Sequence, residues 1–167
     1  FFFFSCSQGT MNNLTFGNDN FSHYEPLGGG AGAIVGHGGT SAVQVHMTNT
    51  AITDPEIMES SFPVRLLSHQ VRKGSGGIGD WQGGDGVERV YLFEETTTFS
   101  FLTERRRKGA EGLHGGGAGL PGEQFIIRKN GQKERLQGRC TGLANPGDRL
   151  IIRTPGGGGV GNPAVNR

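Results

Sequence analysis

Val87-Glu-Arg-Val-Tyr-Leu-Phe93, then Glu94-Glu-Thr96, then Thr97-Thr-Phe-Ser-Phe-Leu-Thr103 is the stretch whose reading decides the fold. Both runs are rich in β-branched and aromatic residues, which suit a pleated and half-buried surface. Phe99 and Phe101 alternate with Ser100, the period of two that marks a strand. Upstream, Val64-Arg-Leu-Leu-Ser-His-Gln-Val-Arg72 reads as a further strand that ends in Gly74-Ser-Gly-Gly-Ile-Gly79. Trp81, the only tryptophan, opens a second glycine turn that runs to Gly86 and is expected to pin it to a core. Downstream, Phe125 to Lys129, Asn130-Gly131 and Gln132 to Leu136 predict a hairpin with a type I′ turn, whose two central residues both take positive φ. Asn145-Pro-Gly-Asp148 then turns the chain into a strand over Arg149 to Arg153. The fold class is therefore mainly β: an antiparallel, sandwich-like region with a glycine-rich amino-terminal segment and one short helix. The expected division is a glycine-rich loop segment over residues 1–62 and the antiparallel β region over 63–167.

The chain has 167 residues and a formal net charge of +1, and 32 of its residues are glycine. That is nearly three times the usual share of ~7%, without the period of collagen or the charge of a disordered chain. So much glycine makes backbone ordering costly, which points to a piece of a larger assembly. Two cysteines, Cys6 and Cys140, are too few for a disulfide scaffold. Five histidines lack ligand-like spacing, so no metal site is expected within this chain. Phe1 to Phe4 is too short for a signal segment and reads as the start of a cut reading frame. No apolar run approaches the ~20 residues of a membrane span, and a cytoplasmic setting is expected. The basic run Glu104-Arg-Arg-Arg-Lys108 lies among glutamates, so it reads as a solvated strand end or intersubunit ion pairs rather than a nucleic-acid surface.

The amino-terminal third holds the densest polar chemistry. His46-Met-Thr-Asn-Thr-Ala-Ile-Thr-Asp-Pro-Glu-Ile-Met-Glu59 lies between two β-flavoured stretches, Ala42 to His46 and Pro63 to Arg72. Its helix start can be set by Asp54 as N-cap with Pro55 at the first helical position, or by a Thr53/Glu56 capping box. Adjacent Asn12 and Asn13 offer amide donors and acceptors, either to a polar ligand or to a turn. Gly28-x-Gly30-x-x-Ala33 imitates a dinucleotide fingerprint, but neither a buried strand precedes it nor a helix follows. A loop that admits close backbone approach is the stronger reading, with Glu25 the carboxylate beside it.

Several of these segments, taken in order, resemble one family. They are Gln8-Gly-Thr-Met-Asn-Asn-Leu-Thr-Phe-Gly17, the Glu25 to Gly32 loop, His46-Met-Thr-Asn-Thr50 with Thr53-Asp-Pro-Glu56, and Gly74-Ser-Gly-Gly77. Gly83-Gly-Asp-Gly86, Leu102-Thr-Glu-Arg-Arg106 and Thr154-Pro-Gly-Gly-Gly-Gly159 complete the series. Together they look like the carboxy-terminal part of the hydantoinase B/5-oxoprolinase family, which includes subunits of ketone carboxylases. The resemblance implies a portion of a larger α+β subunit that takes part in ATP-dependent opening of a cyclic amide such as 5-oxoproline or a hydantoin. Ketone carboxylation and a non-catalytic assembly role are the alternatives. It also implies a hydantoinase A-type partner, with ATP, Mg and a divalent metal bound outside this chain, and an amino-terminal part of the B module elsewhere. The matching motifs point to Glu25 and His46 as proton-moving groups. They point to Asn12, Asn13, Gly28, Gly29, Gly30 and Asn49 as substrate contacts, with the glycines offering exposed amides.

Overall fold

The computed structural model describes residues 4–46 and 48–163. Expectations for Phe1 to Phe3 and for Met47 fall outside the described residues. Among the described residues nine strands and one helix follow in the order β1 (Asn12–Gly17), β2 (Ser22–Pro26), α1 (Pro55–Ser61), β3 (Val64–Arg72), β4 (Gly86–Phe93), β5 (Thr97–Thr103), β6 (Glu123–Ile127), β7 (Lys133–Leu136), β8 (Arg139–Ala144) and β9 (Arg149–Arg153). One sheet has the order β2-β1-β5-β8 and the other β3-β4-β9-β6-β7. Every strand pairing is antiparallel.

The core between the sheets follows from alternation. Leu14 and Phe16 of β1 and Phe99 and Phe101 of β5 meet Tyr91 and Phe93 of β4 and Leu150 and Ile152 of β9. The Phe16 ring lies 5.8 Å from that of Tyr91 and 5.7 Å from that of Phe93, so aromatic pairs join the two layers. Helix α1 starts as the Asp54/Pro55 register predicts, since the Asp54 side chain accepts from the amides of Glu56 and Ile57. It contributes buried Met58 to the core.

Three expectations change. Residues 1–62 contribute β1 and β2 to the first sheet, where a loop segment was expected, because Asn12 and Asn13 pair along β1 with Thr103 and Leu102 of β5. Ala42 to His46 is not a strand: only Val43 bridges, to Gly29, and Ala42 and His46 both take positive φ. The β6–β7 hairpin forms, but Gly131 alone has positive φ, at 88°. The Gly131 amide donates to Arg128 O and the Arg128 amide to Gln132 O. That is a longer loop closed by a turn and one left-handed glycine, in place of a two-residue type I′ turn.

Between the strands, glycine segments bond to one another backbone to backbone. Gly157 N–H donates to Gly84 O at 2.8 Å, Gly84 N–H to Ala31 O at 2.9 Å, and Gly77 N–H to Gly157 O at 2.8 Å. Ala33 N–H donates to Gly158 O and Gly159 N–H to Gly117 O, both at 3.0 Å. The segments lie so close that a Cβ on Gly30 would overlap Gly84 O. These are the residues for which glycine is required, by close approach rather than by turn geometry.

Candidate functional site

Glu25 sits near the end of β2, opposite Leu14, and therefore points into the sandwich. It is 2% exposed. Tyr91 Oη donates to Glu25 Oε2 at 2.5 Å, and Arg89 Nε donates to Tyr91 Oη at 2.7 Å. Arg89 Nε also lies 3.3 Å from Glu25 Oε2, with Arg89 only 1% exposed, so the two charges form a buried ion pair. The pair reaches the following loop: Thr53 N–H donates to Glu25 Oε1 at 3.1 Å, and Arg89 Nη2 donates to Thr53 O at 3.3 Å. A buried pair with its remaining hydrogen bonds supplied is tolerated, and it fixes the elements that carry it. Here it ties β2, β4 and the stretch that leads into α1.

The same network sets the local electrostatics. Burial first, and then the Glu25 charge, hold the Tyr91 phenol well above its usual range. Burial lowers the pKa of both His23 and His69; Arg89 adds to that effect and Glu25 opposes it. His23 Nε2 is buried without a hydrogen-bond partner.

A small cavity of about 140 Å³ is lined by Gly28, Ala42, Gln44, Thr50, Ile52, His69 and Val87. Gln44 Nε2 donates to Pro26 O at 3.0 Å, while its Oε1 is buried and unpartnered. Gly28 O accepts from Thr154 Oγ1, which in turn accepts from Val87 N–H, so the wall behind the cavity is held by β4 and the chain that leaves β9. The cavity thus brings one expected residue, Gly28, together with Thr50, the neighbour of Asn49, and with Gln44, two positions before His46.

The expected site residues do not converge as a group. Asn12 and Asn13 are consecutive on β1, so their side chains leave on opposite faces and cannot grip one ligand together. Asn12 is buried, donating to Gln8 Oε1 at 2.6 Å and accepting from Arg106 Nη1 at 2.8 Å. Asn13 Oδ1 is buried without a partner. The exposed amide array expected of Gly28 to Gly30 is absent. Gly29 N–H donates to Val43 O and Gly30 N–H to Pro155 O, and all three glycines are buried. His46 and Asn49 are exposed on the loop that follows. Arg89 and Tyr91 were not singled out from sequence; a charged residue that alternates with Val87, Tyr91 and Phe93 on the inward face of the strand was the available signal. Among the described residues no group of three or more His, Cys, Asp or Glu side chains is gathered to hold a metal ion.

This sandwich with its interleaved glycine segments defines a known class. The chain matches the Hydantoinase B/oxoprolinase family model over residues 3–163, and it belongs to that family. Its sequence is 49% identical over 158 residues to 5-oxoprolinase 1 of Arabidopsis thaliana, covering 95% of this chain and 12% of that protein. The ATP-dependent caprolactamase of Pseudomonas jessenii shares the fold with a TM-score of 0.80 at 23% identity, over 95% of this chain and 30% of that one. A nucleotide-free acetone carboxylase shares it with a TM-score of 0.75 at 21% identity, over 94% and 27%. The chain therefore spans about an eighth of the 5-oxoprolinase that it resembles in sequence.

Proposed function

We propose that this chain is a carboxy-terminal portion of the B module of an ATP-dependent cyclic-amide hydrolase of the 5-oxoprolinase type. The observation that supports this most is 49% identity to a 5-oxoprolinase along nearly the whole chain. The likeness to the caprolactamase and the carboxylase concerns the fold alone. A lactam resists water because its nitrogen donates into the carbonyl, and phosphorylating the carbonyl oxygen removes that resistance. In this reading a hydantoinase A-type module performs the phosphorylation, with ATP and Mg bound there, in the cytoplasm. A divalent metal is held outside this chain, and this portion helps to shape the cavity in which the activated ring is opened.

Within that task His46 and Asn49 meet the substrate from the loop over residues 42–53. Glu25, through Arg89 and Thr53, acts as a positioning residue for the same loop. Asn12, Asn13 and Gly28 to Gly30 support its base. The test is ATP-dependent conversion of 5-oxoproline to glutamate by the full-length protein with its A-type partner. His46→Ala and Asn49→Ala are expected to lower kcat/KM about tenfold or more with an unchanged melting temperature. Glu25→Gln is expected to lower both. Activity within about threefold of wild type in the two loop variants would remove them from the site. Carboxylation of a ketone in place of ring opening would establish the carboxylase alternative.

A further inference from the structure

The run Arg105-Arg-Arg-Lys108 does not behave as a solvated strand end. With Thr103, Gly122, Glu123, Arg135, Leu136, Gln137, Gly138 and Arg139 it lines a groove of about 1090 Å³. Six cationic side chains, Arg105, Arg106, Arg107, Lys108, Arg135 and Arg139, face one carboxylate there. That carboxylate, Glu123, is already paired with Arg72 at 3.4 Å and with Arg153 at 3.0 Å. None of the six cations has an ion-pair partner among the described residues.

Two of them are built into the groove rather than laid over it. Arg106 donates through Nε to Gln124 Oε1 at 2.7 Å, and through Nη1 to Glu104 O at 2.5 Å and to Asn12 Oδ1 at 2.8 Å. All three acceptors are neutral, and Nη2 is buried with no partner. Its seat is made by missing side chains: a Cβ on Gly122 would overlap the guanidinium, and one on Gly138 would stand 3.0 Å from Arg106 Cγ. Burial, with Arg72 adding repulsion, makes the Arg106 charge costly to keep. Arg105 holds φ at 51°, a backbone state that non-glycine residues adopt at a cost, and its Nε is also buried and unpartnered. A groove lined by six cationic residues, two of them arginines with guanidinium donors not all used, is a place suited to an anion.

We propose that this groove binds the phosphate group of a small phosphorylated ligand, with Arg105 and Arg106 as its anchors and Arg135 and Arg139 at its rim. A phosphate carries nearly two negative charges at neutral pH and three acceptor oxygens, which suits a groove lined by several guanidinium groups. A single carboxylate would leave most of the surplus charge unbalanced. The proposal stands on the charges of the groove and does not depend on which ring the larger protein opens.

The test is calorimetric titration of this chain with inorganic pyrophosphate at ~0.15 M salt, where attraction beyond about 8 Å is screened. Saturable one-site binding is expected, weakened about tenfold by Arg105→Gln and about threefold by Arg139→Gln. Arg65→Gln, on an exposed arginine paired with Glu94 and outside the groove, should leave it unchanged. Because Arg105 is partly buried, the exposed Arg139→Gln supplies a variant whose folding is not at risk, and circular dichroism checks both. Absence of saturable binding would overturn the proposal. So would equal weakening by Arg65→Gln, or wild-type affinity in a folded Arg139→Gln. An oligoglutamate peptide that binds more tightly than pyrophosphate would overturn it too, and would make the groove a protein-docking surface.

Discussion

Glu25, Arg89 and Tyr91 show how a residue that reads as a catalytic acid can serve as a structural tie. Removing one member of a buried ion pair leaves the other charge without compensation, which costs about 3–5 kcal/mol. Glu25→Gln should therefore lower the denaturation midpoint by an amount equivalent to about 3 kcal/mol or more. Tyr91→Phe removes one hydroxyl and should cost only about 1–2 kcal/mol. Equal effects, measured by urea unfolding, would show that the ion pair contributes nothing beyond its hydrogen bonds. The same cluster predicts a pH dependence. His23 and His69 both titrate below the ordinary histidine value of 6.5 in the folded chain. The unfolded state therefore binds more protons in that interval, and stability present above pH ~6.5 is lost as the pH falls through the folded values. A melting temperature that drops between pH 7 and 5.5, and drops less in His23→Gln, is the expected result. The lowered Glu88 and Asp148 act in a separate window, losing their contribution only as the pH falls below the ordinary carboxylate range.

At the scale of elements, the β6–β7 hairpin gives a direct check on turn chemistry. Gly131 has φ of 88° and open space where a Cβ would stand, so Gly131→Val meets no clash and registers backbone strain alone. A loss of about 1–2 kcal/mol is expected, and an unchanged urea midpoint would refute the left-handed assignment. This hairpin, and strands β3, β4, β5 and β9, were legible because their apolar residues alternate or cluster between glycine turns. Strands β1, β2 and β8 were not. Asn12 and Asn13 carry no strand preference and owe their place to pairing with Thr103 and Leu102, some 90 positions away. Strand β8 contains Gly142, which depresses any local strand signal. The structure supplies the reason for it: Gly142 lies opposite Phe99, whose ring fills the space a side chain there would need. The candidate site was half legible for a similar reason. Glu25 stood out beside its glycine loop, but its side-chain partners, Arg89 and Tyr91, come from β4, more than 60 positions away.

At the scale of the whole molecule, glycine replaces side-chain packing as the means by which distant segments meet. Gly30→Ala would force a methyl group into Gly84 O and Gly157 N, both of them backbone with no rotamer to yield. A cost of about 3 kcal/mol or more, or failure to fold, is expected from overpacking of that kind. Gly38→Ala, on an exposed glycine whose nearest obstacle stands 3.3 Å away, should change stability by less than about 1 kcal/mol. Similar melting temperatures for the two variants would refute the close-packed arrangement. The hub of that arrangement is the stretch from Pro155 to Val160. It accepts from or donates to Gly30, Ala33, Cys6, Gly77, Trp81, Gly84, Leu113 and Gly117. As the chain leaves the ribosome, the amides of Gly30, Ala33, Gly77, Trp81 and Leu113 must wait for these late residues before they find their acceptors. Folding is thereby held back until synthesis of this region is nearly finished, and a chain stopped at Arg153 should remain open to proteolysis. Once it closes, amides with no side chain to shield them become among the most enclosed in the molecule. Deuterium uptake at Gly77, Gly84 and Gly157 should be as slow as at the centre of β4, and rapid uptake there would mean that the hub opens on its own.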